Sequence, residues 1–175
     1  MVPEAPVEQL DHGLAPKGEG WFVVNARETR WFDGVFGAYN QFQGDVRFAQ
    51  IGVAIGVLHP GQPACRYHGE ADQEGFLVLQ GECLLLVEGQ ERPLKQWDFV
   101  HCPPWTEHVF VGAGEGPCTI LAFGGRAHTE IVYPVNELAA RHGASVPETT
   151  NTPEVAYADL PPDQPVPFQE AWLPG

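Results

Sequence analysis

His68-Gly69-Glu70-Ala71-Asp72-Gln73-Glu74, running into Gly75-Phe76-Leu77-Val78-Leu79-Gln80-Gly81, is the stretch that decides how this chain folds. In a strand successive side chains alternate between faces, so His68 and Glu70 emerge on the same side. The turn-like Ala71-Asp72-Gln73 then lets Glu74 return to that side at the start of an apolar strand over Phe76–Gln80. Gly81 suits the tight turn that follows, because glycine accepts positive φ. A fourth group, His108, comes some forty residues later, after Cys102-Pro103-Pro104-Trp105-Thr106-Glu107. Neutral imidazole with carboxylate is the donor set of Zn²⁺, Fe²⁺, Mn²⁺ and Ni²⁺ sites.

Outward from this stretch the pattern stays β. Cys83–Val87, Arg92–Leu94, Phe99–Cys102, Glu107–Val111, Cys118–Phe123 and Glu130–Tyr133 are short apolar runs separated by Gly, Pro or polar turns, with hairpins expected at Gly81 and Gly89. Such spacing predicts an all-β sandwich or barrel. Upstream, Val46–Leu58 reads as a long bent strand and Trp21–Val24 as a shorter one. Asn25 with Glu28 fits a capping box opening a helical turn over Asn25–Trp31. Residues 1–20, polar and proline-rich, read as a flexible or loosely docked arm, residues 21–133 as the barrel, and residues 134–175 as a C-terminal helix and tail. Val135, Leu138, Ala139 and His142 fall at helical spacing, and Gly143 sits where a helix stops. Tyr157, Phe168 and Trp172 give the acidic, proline-rich tail apolar anchors, which predicts an extended segment packed over the barrel.

The chain has 175 residues, 43% of them hydrophobic, enough for one sizeable core. Its net charge of −14 would repel a phosphate backbone or an anionic membrane surface. Neither nucleic acid nor membrane is an expected partner, and Ile51–Leu58 is too short for a spanning helix. Glu4, Glu8 and Asp11 stand where a signal peptide would carry positive charge, so a cytoplasmic location is expected. Cys65, Cys83, Cys102 and Cys118 show no metal-binding CxxC spacing and read as buried free thiols. No GxSxG elbow, P-loop or GxGxxG is present.

Two patterns carry a resemblance to the cupin superfamily. That family's first motif is Gly, five residues, His-x-His, three or four residues, Glu, six residues, Gly. Here Gly61 is followed by six residues, His68-Gly69-Glu70, three residues, Glu74, six residues and Gly81. The second motif, Gly, five residues, Pro-x-Gly, two residues, His, three residues, Asn, is matched in spacing by Trp97, Pro103, Trp105, His108 and Gly112. Glu70 thus stands for the second histidine, Trp97 and Trp105 for two glycines, and Gly112 for the closing Asn.

The resemblance implies a jelly-roll barrel, the double-stranded β-helix, with one divalent transition metal (Fe, Mn, Ni or Zn) on His68, Glu70, Glu74 and His108, and a homodimer. If Glu70 coordinates, two carboxylates neutralise a divalent ion. If it turns away, His68, Glu74 and His108 form a two-histidine, one-carboxylate triad with open positions, and Glu70 becomes a candidate general base. His101, in phase with Phe99, is a candidate for lining the interior, Gln73 for a ligand in an altered register, and Trp105 for gating the barrel mouth. Tyr67 falls where a histidine would stand if five residues were counted from Gly61, but its expected direction is outward. The implied function is metal-assisted oxygenation, isomerisation or decarboxylation of a small polar molecule. The alternatives are a non-enzymatic barrel that binds a small ligand, with or without a structural metal, and a barrel whose acidic tail binds a protein partner.

Overall fold

The computed structural model describes residues 1–174. In chain order the elements are β1 (Val7–Leu10), β2 (Gly13–Pro16), β3 (Arg30–Gly34), β4 (Gly37–Gln41), β5 (Ile51–Leu58), β6 (Gly69–Glu70), β7 (Glu74–Gln80), β8 (Glu82–Val87), β9 (Gln90–Lys95), β10 (Phe99–Cys102), β11 (His108–Ala113), β12 (Cys118–Gly125), β13 (Ile131–Val132), α1 (Glu137–Ala140), α2 (Pro153–Ala156) and β14 (Gln164–Val166). One antiparallel sheet has the order β10-β7-β12-β5-β4-β3-β14. The other is β11-β8-β9, continued past β11 by the segment that leads into β6, through bridges from Pro63 to Val111 and from His68 to His108. β13 then pairs with β6. The two layers make the expected jelly-roll barrel.

Alternation fills the space between the layers. Phe76 and Val78 of β7, Cys83 and Leu85 of β8, Phe110 of β11 and Ile120 of β12 meet in one buried cluster with Leu58, Cys102 and Cys118. Burying each large apolar side chain contributes about 1.5–3 kcal/mol. The opposite faces are also covered. Tyr67, Leu86, Val109 and Val111 point outward and pack under Ala139 and Ala144. Trp31, Ile55 and Val57 pack under Trp172, whose ring lies 5.1 Å from that of Trp31. The tail is therefore part of the folded unit: β14 pairs with β3, and Trp172 is 1% exposed.

Several local expectations change. The first twenty residues include the β1–β2 hairpin, with Ala5 and Ala15 buried, because a short arm with two apolar contacts and a ladder need not stay loose. Trp21–Val24 forms no strand: Trp21 makes a single bridge to Glu4, and Phe22 instead stacks on Phe48. β5 starts at Ile51, and the unforeseen hairpin β3–β4 precedes it. Asn25 does cap a turn, accepting from the Arg27 N–H at 3.0 Å, but the turn is a 3₁₀ one over Ala26–Glu28. The C-terminal helix is one turn, capped by the Asn136 side chain on the Ala139 N–H, and Val135 is exposed rather than on a buried stripe. All four cysteines are free; Cys83, Cys102 and Cys118 are buried and Cys65 is partly so.

Trp97 and Trp105 keep the left-handed backbone that the family pattern gives to glycine, with φ of 73° and 68°. Their indoles extend into solvent, 65% and 51% exposed. Gly112 has a steric reason to replace Asn, since a Cβ there would come within 2.1 Å of the His59 carbonyl oxygen. No helix among the described residues is long and apolar enough to cross a membrane.

Candidate metal centre

The strands converge three of the candidate ligands at one end of the barrel. β7 begins at Glu74 and β11 at His108, and the His68–His108 bridge places the third beside them. One donor atom from each of His68, Glu74 and His108 lies within 4.8 Å of the others. His108 Nε2 is 3.5 Å from Glu74 Oε2.

Both imidazoles are fixed by the backbone. His68 Nδ1 lies 2.8 Å from the Arg66 carbonyl oxygen, and His108 Nδ1 lies 3.0 Å from that of Thr106. A carbonyl only accepts, so each Nδ1 must carry the proton and each Nε2 is left with a lone pair. This orienting of a ligating histidine through its other nitrogen is the arrangement that metal sites use. Burial, and then the neighbouring His108, push the His68 pKa down to about 4. Burial likewise lowers that of His108, so both rings are neutral at pH 7. Aromatic walls limit their motion: His68 lies against Tyr133, and His108 lies edge-on to Phe76 and Phe110.

Glu74 sits at this apolar boundary, where burial first and Glu70 second push its pKa up to about 8. Of the four expected ligands, Glu70 is the one whose carboxylate is not in the clustered trio. Its backbone carbonyl accepts from the Trp105 N–H at 2.7 Å, and its side chain lines an adjoining cavity of about 340 Å³. Burial and Asp72 raise its pKa above the ordinary carboxylate value. Gly124 separates the two acids, since a Cβ there would lie 3.3 Å from Glu74 Cγ and 3.5 Å from Glu70 Oε1.

The remaining candidates lie elsewhere. His101 is exposed, because Val100 and Cys102 are the β10 residues that pack on the core, so Phe99 and His101 share the outer face. Gln73 is also exposed, in the turn before β7, and contributes its backbone carbonyl to the Gly125 N–H. Trp105 stands in the turn beside Glu70, outside the walls of that cavity. Tyr67 points out of the barrel, as expected.

Some residues near the site have no signal in the sequence. Arg66 is buried with a two-oxygen contact to Asp159 at 2.8 and 2.9 Å, and it also donates to the carbonyls of Gly143, Ser145 and Ala156. It ties the C-terminal segment to the stretch that leads into β6 and carries His68. Tyr157 stacks edge-on against Tyr133 and accepts from the Arg66 N–H. The partners of Arg66 are more than seventy residues away, beyond any local pattern.

A family model described as Cupin domain matches residues 54–124. Among solved structures, a predicted oxalate decarboxylase from Thermotoga maritima is 20% identical with a TM-score of 0.51, over 59% of this chain and 97% of that one. An RmlC-like cupin from Shewanella frigidimarina is 16% identical with a TM-score of 0.51, over 60% of this chain and 90% of that one. A proposed sugar phosphate isomerase from Acidithiobacillus ferrooxidans is 26% identical with a TM-score of 0.44, over 47% of this chain and 54% of that one, so the match spans about half of that protein. No match was found among curated proteins.

Proposed function

We propose that this chain, whose residues 54–124 match the Cupin domain model, is a metal-dependent barrel acting on a small polar molecule. The observation that carries this reading is the pair of backbone-pinned imidazoles, each with its Nε2 lone pair free, beside the Glu74 carboxylate. Two neutral nitrogens and one carboxylate suit a divalent transition ion, with His68, Glu74 and His108 as its ligands. When bound, such an ion polarises substrate oxygens as a Lewis acid or supports redox chemistry.

The chain's own groups do the rest. His68 and His108 stay neutral and fixed, and Phe76 and Phe110 exclude water from the inner side of the cluster. Glu70 lies beyond Gly124 with a raised pKa, placed to take or return a proton at its carboxylate oxygens. Three protein ligands rather than four leave positions open, which favours a reacting site over a purely structural one. Oxygenation, isomerisation and decarboxylation all fit this apparatus.

Elemental analysis of protein purified without added metal tests the reading. Near-stoichiometric metal in the parent, lost in His108→Ala and kept in Glu70→Gln, is the expected result. A parent protein that holds no metal and is not stabilised by Fe²⁺, Mn²⁺, Ni²⁺ or Zn²⁺ would overturn it.

A further inference from the structure

The open end of the barrel holds two adjoining cavities of about 340 and 310 Å³, with Gly52, Gly124 and Arg126 in the walls of both. Glu70 and Arg47 line the first, and Glu74 lines the second. The space beside the metal-ligand cluster thus runs past two arginines, although the chain has only 9 basic residues against 23 acidic ones.

Arg126 is built into this position. Its Nη1 donates to Gln43 Oε1 at 2.6 Å and to the Phe48 carbonyl at 2.9 Å, and its backbone N–H donates to the Gln50 carbonyl. Nε and Nη2 donate to no protein group among the described residues. These two nitrogens form one edge of the guanidinium, the fork that matches a carboxylate or phosphate with two parallel hydrogen bonds. The approach to this edge is open because residue 52 is glycine: a Cβ there would stand 3.0 Å from Nε and 3.1 Å from Nη2.

Neither arginine has a counter-charge. Glu70, Asp72 and Glu130 share the wall of the larger cavity, yet no carboxylate among the described residues lies within 4.0 Å of Arg47 or Arg126. Asp72 is taken up by His128 at 2.8 Å instead. Burial, and then the like charge of Arg47, hold Arg126 below the ordinary guanidinium value, so an anion placed between them would relieve an existing repulsion.

We propose that this end of the barrel is an anion-recognition subsite, in which the free edge of Arg126, with Arg47 beside it, holds a carboxylate or phosphate of a small molecule whose other end reaches the His68–Glu74–His108 cluster. The inference rests on reading that cluster as the reacting centre, and it gives the substrate class. The long-range field of a strongly acidic chain disfavours anions, so recognition must come from close, paired hydrogen bonds rather than from steering. That favours a small, compact anion over a polyanion.

Calorimetric titration of the full chain, once stripped of metal by chelator and once loaded with Mn²⁺, tests the subsite with succinate, glycerol 3-phosphate and neutral succinamide as probes. At least one anion is expected to bind and succinamide is not; succinate or glycerol 3-phosphate binding alone distinguishes a carboxylate from a phosphate site. Arg126→Gln and Gly52→Val are expected to weaken anion binding at least tenfold while leaving metal content unchanged. Arg47→Gln, on an exposed side chain without ion pairs, is expected to weaken it several-fold and keeps the test alive if Arg126→Gln does not fold. Equal anion binding in folded Arg126→Gln and Arg47→Gln, or no anion binding at millimolar concentration in either metal state, would overturn the subsite. Anion binding in a protein that takes up no metal would leave the subsite standing and remove the metal reading; metal uptake without anion binding would do the reverse.

Discussion

The two ends of the barrel interior are built from the same strands and have opposite chemistry. On β7 the inward positions run Glu74, Phe76, Val78, and on β11 they begin His108, Phe110. Two residues of strand, about 7 Å, separate a polar ligand from a dry core. The inner end is held by contact among apolar side chains. The open end is held by the backbone, through the carbonyls of Arg66 and Thr106, and leaves its donor atoms unspent. One end is therefore optimised for stability and the other for binding, and substitutions at the two should report on different quantities.

The largest effect is expected at the inner end. Phe110 is buried with its ring 4.6 Å from that of Phe76, so Phe110→Ala should cost about 3–5 kcal/mol in urea unfolding. A loss below about 1 kcal/mol would mean that this end is not the packed core described above. At the open end His108→Ala should instead lower metal affinity on the order of 100-fold or more, with the barrel still folded by circular dichroism. Equal metal uptake by His108→Ala would break the division of labour between the two ends.

A smaller, pH-dependent effect separates the ends further. Glu74 has a folded-state pKa of about 8, above its unfolded value near 4.5, so the folded metal-free protein binds the extra proton. Stability from the neutral carboxyl is then complete below about pH 4.5 and is lost as pH rises towards 8. Urea unfolding of chelator-stripped protein at pH 5 and pH 8 should show this decline, and Glu74→Gln should flatten it. Metal binding at pH 7 should also release protons, seen as a dependence of the calorimetric heat on buffer ionisation enthalpy. A wild type and Glu74→Gln with the same pH profile would remove Glu74 from the buried, carboxyl-raising environment assigned to it.

The inner end was legible in the sequence because it obeys local rules. Alternation from Glu74 to Gln80, glycine turns at 81 and 89 and the strand Phe99–Cys102 all follow from periodicity and backbone freedom. At the open end the spacing of His68, Glu74 and His108 was visible, but the direction of Glu70 was not. Side-chain alternation places Glu70 on the right face without fixing where its carboxyl points. His101 shows the limit of phase arguments on an edge strand, since Phe99 is apolar and yet faces out, so its large ring gave the wrong side. Arg126 and Arg47 were invisible for a different reason. They are seventy-nine positions apart in the chain and meet only because β5 and β12 pair in register, Gly52 opposite Gly124.

The smallest expected effect concerns the two tryptophans in left-handed backbone, one near each end. Trp97 donates its N–H to Val78, towards the inner end, and Trp105 donates its own to Glu70, at the mouth. A non-glycine residue there costs about 1–2 kcal/mol relative to glycine, while glycine adds roughly 0.5–1 kcal/mol of unfolded-chain entropy. Because both indoles extend into solvent, little packing is lost, and Trp97→Gly and Trp105→Gly should each shift stability by no more than about 1 kcal/mol. Gly81→Ala provides the contrast: at φ 75° its Cβ would come within 2.4 Å of the Pro117 carbonyl oxygen, so both strain and a backbone clash oppose it. It should destabilise by more than either tryptophan substitution in the same urea assay. A loss above about 2 kcal/mol in Trp97→Gly or Trp105→Gly would mean that the indole is held by contacts at that end of the barrel. A neutral result would mean that neither tryptophan is retained for stability, and would move the search for their role to the surface they present.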